Sequence, residues 1–440
     1  MSWKWVLGFI VLCLMAMAVQ KWDKDTSPAT SLTFYRDALP ILQQNCQSCH
    51  RPEGMAPMAL VTLEDVRKWA EMIEPVVTSR RMPPWFADPQ HGRFANDISL
   101  TKEEIDTLAA WVAGGTLEGD ERDEPPPQQW AGGWEIAEPN VVVQLPEPVQ
   151  IPAEGEIDYR YAVVPTGFTE DRWVKAAQLL PSSTHHVHHA VVFIRPPESQ
   201  WLRSAPAGKT FVQDDLRTEQ DRQSANWSND DILLVYALGS APNNWSEDMA
   251  KLVPSGSDLI FQIHYTTNGK AAEDQTKLGM IFAKQPPKQR VLTLELTNTE
   301  FVIPPQTGNY RVEASGTLPG EATLLSFLPH MHVRGKRFEY NILHDDGKVE
   351  TLLRVNYSFR WQLSYQLAEP RKLRAGTLLQ AVAWYDNSRY NPRNPDPASA
   401  VPWGQQNSDE MMVGFFDVAV PADKKKSDYA MHPVGENVGH

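Results

Sequence analysis

From Trp134 to about Val420 the chain is a succession of short apolar runs, each cut off by Pro, Gly, Asn or Asp, and no other feature constrains the fold as strongly. Val141-Val-Val-Gln-Leu145, Ala190-Val-Val-Phe-Ile194, Leu259-Ile-Phe-Gln-Ile-His-Tyr265, Leu292-Thr-Leu-Glu-Leu296 and Val413-Gly-Phe-Phe-Asp-Val418 are examples. Many strands with turn chemistry at close intervals indicate β-sandwiches. The stretch is too large for one, so two all-β lobes are expected, 134–288 and 289–420, divided near Gln285-Pro-Pro-Lys288. The tail, 421–440, with Lys424-Lys-Lys426, reads as loose.

Residues 31–116 have a different texture and read as a small all-α domain, making the chain multidomain. Pro40 suits the first turn of a short helix, because the missing N–H has no intrahelical partner there anyway. From Thr62 or Leu63 to Ser79, apolar residues Val66, Trp69, Ala70, Ile73, Val76 and Val77 recur at near-helical spacing. Thr101-Lys-Glu-Glu104 is a capping box opening a third helix that Gly114-Gly115 ends. The acidic, proline-rich segment 117–133 is expected to be an extended, solvated connection.

Lys4 precedes an uncharged apolar run from Trp5 to Val19, with Ala16-Met17-Ala18 as a small-x-small cleavage pattern. Residues 1–18 are therefore expected to be an export signal. An uncleaved anchor to the cytoplasmic membrane and, through Cys13, a lipoprotein are the alternatives. Either way the body of the chain is placed outside the cytoplasm, in the periplasm. A net charge of −14 argues against nucleic acid, which needs a basic patch. The chain has three cysteines, and with Cys13 in the signal only Cys46 and Cys49 are left.

Those two stand in Cys46-Gln-Ser-Cys49-His50. Two thiols three apart on a helical turn meet the two vinyl groups of a haem, and the adjacent histidine reaches the iron. A zinc site or redox dithiol would want a second cysteine pair or a thioredoxin-like context, and neither is present. One covalent haem c in a cytochrome c domain is expected. Met55, Met58, Met72 and Met82 are candidates for the opposite axial position. Met82, in Arg80-Arg-Met-Pro-Pro-Trp85, is preferred because two prolines hold the segment extended after a helix; Met58 is next. The segment resembles the methionine-ligand loop of small class I-like cytochromes c.

His330-Met-His332 puts two imidazoles on one face if it lies in a strand. A thioether would complete a set soft enough for Cu(I). His188-His189 can serve one metal only at a bulge or a twisted strand end, because neighbouring strand residues point to opposite faces. His264 would make that pair a trio. Each histidine taken singly is more simply a hydrogen-bonded polar residue, and His91, His344, His432 and His440, which have no supporting context, read as surface residues.

Together, Val187-His-His-Ala-Val-Val-Phe193, Leu259-Ile-Phe-Gln-Ile-His-Tyr265, His330-Met-His-Val-Arg-Gly335 and Ser408-Asp-Glu-Met411 resemble the copper type II, ascorbate-dependent monooxygenases. That family includes peptidylglycine α-hydroxylating monooxygenase and dopamine β-hydroxylase. The resemblance spans roughly 135–420 and implies two jelly-roll-like lobes and two coppers. An electron-storing copper would be held by His188, His189 and His264, and an oxygen-activating one by His330, His332 and Met411. Met412 adjoins Met411, and His185-His186 is an alternative pair; the surrounding strings select Met411 and His188-His189. The peptide-hydroxylating members carry an arginine where this chain has Leu328, and an Asn and a Tyr where it has Val413 and Phe415. This departure puts a peptide carboxylate in doubt and suggests a more apolar substrate.

The expectation is thus an exported copper-dependent monooxygenase that hydroxylates a C–H bond of a small organic substrate with O2. Electrons would come through the fused haem c from an ascorbate-like reductant or another cytochrome. The alternatives are a haem/copper oxidoreductase that reduces oxygen or peroxide, or only transfers electrons, and a copper-binding module without turnover.

Overall fold

The computed structural model describes residues 31–433 except 53, 131–132, 207, 213–215, 217–230 and 405; the side chains of 432 and 433 are also not described. The expected signal at 1–18 lies outside the described residues. Among the described residues, no helix is long and apolar enough to cross a membrane.

Three helices occupy the N-terminal part: α1 (Leu39–Asn45), α2 (Leu63–Thr78) and α3 (Lys102–Ala113). Pro40 sits in the first turn of α1. Thr62 and Thr101 each accept from the backbone three residues on, and Asp65 and Glu104 return the bond, so both longer helices start in complete capping boxes. Phe34, Leu42, Val66, Ile73, Leu108 and Trp111 close a small core between them.

The remainder is β-structure in two sandwich lobes. A five-stranded sheet in the first lobe carries Val187–Arg195 and Asp258–Tyr265 side by side. Another in the second lobe centres on Gly335–Leu343 and Leu378–Tyr385. Both face one nine-stranded sheet that runs through the two lobes, because Met249–Val253 pairs in parallel with Gln289–Thr297. The chain passes between lobes after the strand Lys277–Phe282. Lys251 is buried near this seam, where its ammonium donates to Ile232 O (2.6 Å) and Thr293 Oγ1 (2.7 Å) beside Asp231 and Asp417.

The first lobe's five-stranded sheet is covered on both faces. Val192, Ile194, Phe261 and Ile263 fill its own core, while Phe193, Tyr161 and Ile260 pack with Met411, Val413 and Phe415 of the second lobe. This explains why Val187–Arg195 reads as a nearly unbroken apolar run, as strands buried on two sides do.

Three expectations change. In the linker segment, residues 117–130 are largely exposed, as a solvated connection would be, but not free, since Leu117 O and Glu118 O accept from Phe34 and Tyr35, and Pro126 O from Gln43. The tail is ordered as far as 433: Tyr429 is buried and donates to Glu321 O at 2.7 Å, and His432–Pro433 extends a sheet beside Tyr310–Thr317. An aromatic anchor and strand pairing outweigh the three lysines. Finally, residues 85–96 leave the helical unit and lie on the second lobe. Trp85 packs edge-on to Tyr365 (4.9 Å), and Ala87 and Phe94 bridge to Val355 and Leu367.

Candidate functional site

Val187 faces the same core as Ala190, Val192 and Ile194, which strict alternation forbids. The register against Asp258–Tyr265 explains it: His264 is opposite His189, Tyr265 is opposite Val187, and His188 is the extra residue of a bulge. Both histidines of the pair are thereby brought to His264. Ring centroids in the trio are 5.0–5.3 Å apart, and one ligand atom from each ring lies within 4.8 Å of the others.

All three histidines are buried, and burial lowers their pKa values, to about 4 for His188 and about 3 for His264. Neutral imidazoles are the form a metal needs. His188 Nδ1 is buried without a hydrogen-bond partner, an arrangement that costs stability unless something binds there. The donor set and the orphaned nitrogen fit a metal ion.

The second set converges from the other lobe. The strand Ala322–His330 ends at His330, and His332 lies in the turn beyond it, so the pair is not the strand pair expected from period two. Their rings are 5.4 Å apart and nearly perpendicular. His330 Nδ1 donates to Gln362 Oε1 (2.8 Å) and His332 Nδ1 to Asp409 O (3.3 Å), leaving each Nε2 free to face a metal. Burial lowers both pKa values, that of His332 to about 3. Met411 lines the same cavity, whereas Met412 turns into the second-lobe core. Two imidazoles and a thioether suit copper's soft state.

The two sets adjoin. His189 and His330 are 6.4 Å apart, centroid to centroid, and His189 shares a cavity of about 50 Å³ with His330, His332 and Met411. Val191, Phe193, Val235, Leu328 and Phe415 supply its apolar walls, and among the described residues that line it there is no carboxylate, lysine or arginine. Leu328 and Phe415 face this cavity. A larger groove of about 980 Å³ runs along Gln289–Thr297 and carries none of the expected ligands.

Several residues here were missed in the sequence. Tyr159 stacks on His264 (4.8 Å) with its hydroxyl 3.4 Å from His189 Nε2. Asn407 donates to His264 Nε2 at 3.3 Å, and Phe359 packs on His188 (5.5 Å). Glu410 is fully buried, and desolvation pushes its carboxyl up to about 8 against the pull of the backbone N–H groups it accepts from Arg334 and His332. Glu410 could have been noticed in Ser408-Asp-Glu-Met411. Tyr159 and Phe359 carry no local signal.

In the helical unit, Cys46 and Cys49 are free and one turn apart, with His50 N–H donating to Cys46 O at 2.9 Å. His50 Nδ1 donates to Met58 O at 3.2 Å, which leaves Nε2 for an iron. Burial raises both thiol pKa values, that of Cys46 to about 12, the reverse of an activated redox dithiol. These residues fit a covalently held haem. Met82 is half-buried after α2, its N–H donating to Val76 O (3.2 Å); the segment bends at Met82–Pro83, a cis peptide, rather than running extended from the helix. Met72 is half exposed on α2, and Met55 and Met58 lie in the loop after the motif. Of the other histidines, His186 is held by Ser183 Oγ and Lys270 O, His185 contacts Met55 O, and His344 pairs with Glu350.

No protein-family model matches the chain, and no curated protein matches it in sequence. Among solved structures it is similar to PNGF-II, at 13% identity over 64% of this chain with a TM-score of 0.22, and it spans 60% of the length of that protein. It is also similar to infectious bursal disease virus Gx strain, at 8% identity over 67% of this chain and 75% of the other, TM-score 0.19. A third is Bacillus subtilis oxalate decarboxylase, at 8% over 68% and 81%, TM-score 0.14. Likenesses this distant carry no argument about fold or chemistry.

Proposed function

We propose that the chain is a copper-dependent monooxygenase that hydroxylates a C–H bond of a small organic molecule with O2, drawing electrons through a haem c held by Cys46, Cys49 and His50, with Met82 as the opposite ligand. One observation carries this reading. Four distant segments bring three histidines, and two histidines with a thioether, to adjoining positions, with His189, His330, His332 and Met411 around one cavity that has no charged side chain among its described lining residues.

Copper held by His188, His189 and His264, and by His330, His332 and Met411, would supply one-electron chemistry and a site for reducing dioxygen; the haem would supply electrons singly. The protein's own contribution is positional. Gln362 and the Asp409 carbonyl fix the tautomers of His330 and His332. Val191, Phe193, Leu328 and Phe415 exclude water and favour an apolar C–H donor over a charged one, which would be desolvated without a partner.

The test is metal analysis of the purified protein, followed by turnover of a substrate panel under 18O2. One haem, two coppers and an 18O-labelled alcohol are expected; oxygen consumption without labelled product over a broad panel would overturn hydroxylation. A second reading, reduction of oxygen or peroxide without hydroxylation, is favoured by the size of the cavity. About 50 Å³ admits a diatomic molecule, whereas an apolar cavity of about 150 Å³ is what benzene occupies. Stoichiometric peroxide or water from O2, with no organic product, would identify it.

A further inference from the structure

The loop after the Cys-x-x-Cys-His motif does not point into solvent. It lies against the first lobe near the turn that leads to His188 and His189, across a groove of about 390 Å³ lined on the lobe side by Ala177–Pro181, Thr184 and Leu234–Tyr236. Arg51 sits over the Trp130 ring (5.4 Å) on one side, and Gln178, Leu180 and Tyr236 form the opposite wall. The loop is closed tightly on the motif: Ala56 N–H donates to Cys49 O at 3.1 Å, and a Cβ at Gly54 would collide with that same carbonyl. One residue before Ala56, the carbonyl of Met55 accepts from His185 Nδ1 at 3.0 Å. The chain then runs from His185 to His188 through a rigid corner. His186 is buried and held at both ring nitrogens, and its carbonyl accepts from Thr266, two residues beyond His264.

We infer that His185 and the Met55 carbonyl form the junction through which electrons pass from the haem unit to the first histidine set. The connection from Cys49 to His188 consists of two hydrogen bonds, the one at His185 exposed, and short stretches of covalent chain. This rests on the proposed function, because it needs haem at Cys46/Cys49 and copper at the trio. One electron passes per event: the donor goes from ferrous to ferric, the acceptor from cupric to cuprous, and no bond or proton is exchanged. His185 acts as a positioning residue, since it would ligate neither metal. A rival route starts at Met82 and leads to the second set. It runs through Phe86 O, which accepts from Asn356 N–H, and then through Tyr357, whose hydroxyl holds the backbone of Met331.

The full-length, haem- and copper-loaded protein would be given one electron anaerobically by a photoreductant, and haem reoxidation followed in its α band. His185→Ala should slow that phase about ten-fold, in line with the cost of small displacements in a transfer geometry. His185→Asn, which keeps a donor near the Nδ1 position, should restore it, and haem potential and copper content should not change. In copper-free protein, hydrogen exchange at residues 54–58 should rise in the alanine variant and not in the asparagine one. Unchanged reoxidation in His185→Ala, or slowing by Tyr357→Phe instead, overturns the junction while leaving the monooxygenase reading intact. A protein that binds no haem or no copper overturns both.

Discussion

The carboxylate of Glu410 accepts the backbone N–H of His332 at 2.9 Å with one oxygen, while its other oxygen accepts that of Arg334 at 2.6 Å. Glu410 immediately precedes Met411, so one buried side chain ties the turn bearing His332 to the segment bearing the Met411 thioether. Arg334 extends the link by donating to Ser408 O and Asn387 Oδ1. Glu410→Gln replaces one acceptor with a donor and leaves a buried N–H facing it. A loss of about 1–3 kcal/mol in metal-free stability is expected. Copper at the second set should weaken while the trio keeps its metal. Denaturant titration of the apo-protein and copper titration of the refolded variant measure the two effects separately.

Met411 and Met412 are adjacent but face opposite ways, because side chains alternate along the strand they lead into. Met411→Ile should reduce the copper count from two to one and abolish any hydroxylated product. Met412→Ile exchanges apolar groups of similar volume inside the second-lobe core. It should cost less than about 1.5 kcal/mol and leave the copper count unchanged. Equal copper loss in both variants, by metal analysis, would contradict the assignment of the thioether.

The bulge at His188 shows how far the sequence could be read. Two adjacent histidines serving one metal demand a break in alternation, and the break is where the pair is. The capping box at Thr101 likewise located α3, and apolar spacing from Thr62 or Leu63 located α2, because those signals are local. The closeness of the two ligand sets was not legible. It depends on Phe193, Tyr161 and Ile260 of one lobe packing on Val413 and Phe415 of the other, and on a parallel pairing that spans the seam. Two ligand sets were expected, at no stated distance from each other, and the structure puts His189 and His330 6.4 Å apart, centroid to centroid. The same holds for Trp85, which reads as part of the helical unit yet packs with Tyr365 of the second lobe.

His188 has a different expected signature in metal-free and metal-loaded protein. Its buried Nδ1 lacks a partner, and that unsatisfied nitrogen offsets part of what the rest of the ring contributes without a ligand. His188→Leu should change apo stability by no more than about 1 kcal/mol, because the lost polar contact is offset by removal of an unsatisfied group. With copper present, wild type should melt at higher temperature than apo-protein and the variant should gain less, since a ligand stabilises only the state that binds it. Thermal melts with copper and with chelator test this. A large loss in chelator would show that His188 has a structural role.

Lys251 concerns the seam that holds the two sets together. Its ammonium is fully buried, donates to Ile232 O and Thr293 Oγ1, and lies 3.8 Å from Asp231 and 3.6 Å from Asp417. Thr293 in turn donates to Asp417 Oδ1, and Asp231 Oδ1 accepts the Thr293 N–H. Lys251→Met keeps the volume but leaves Asp417 without its cation and Asp231 with Arg290 alone, at 3.8 Å. A cost of about 3–5 kcal/mol is expected, as when one partner of a buried pair is removed. Replacing Asp231 and Asp417 by asparagine as well should recover part of that loss, because the uncompensated charge disappears with them. Copper at both sets should survive in whatever fraction stays folded, since Lys251 touches neither. Loss of the second-set copper from folded Lys251→Met would instead show that the seam fixes the distance between the lobes.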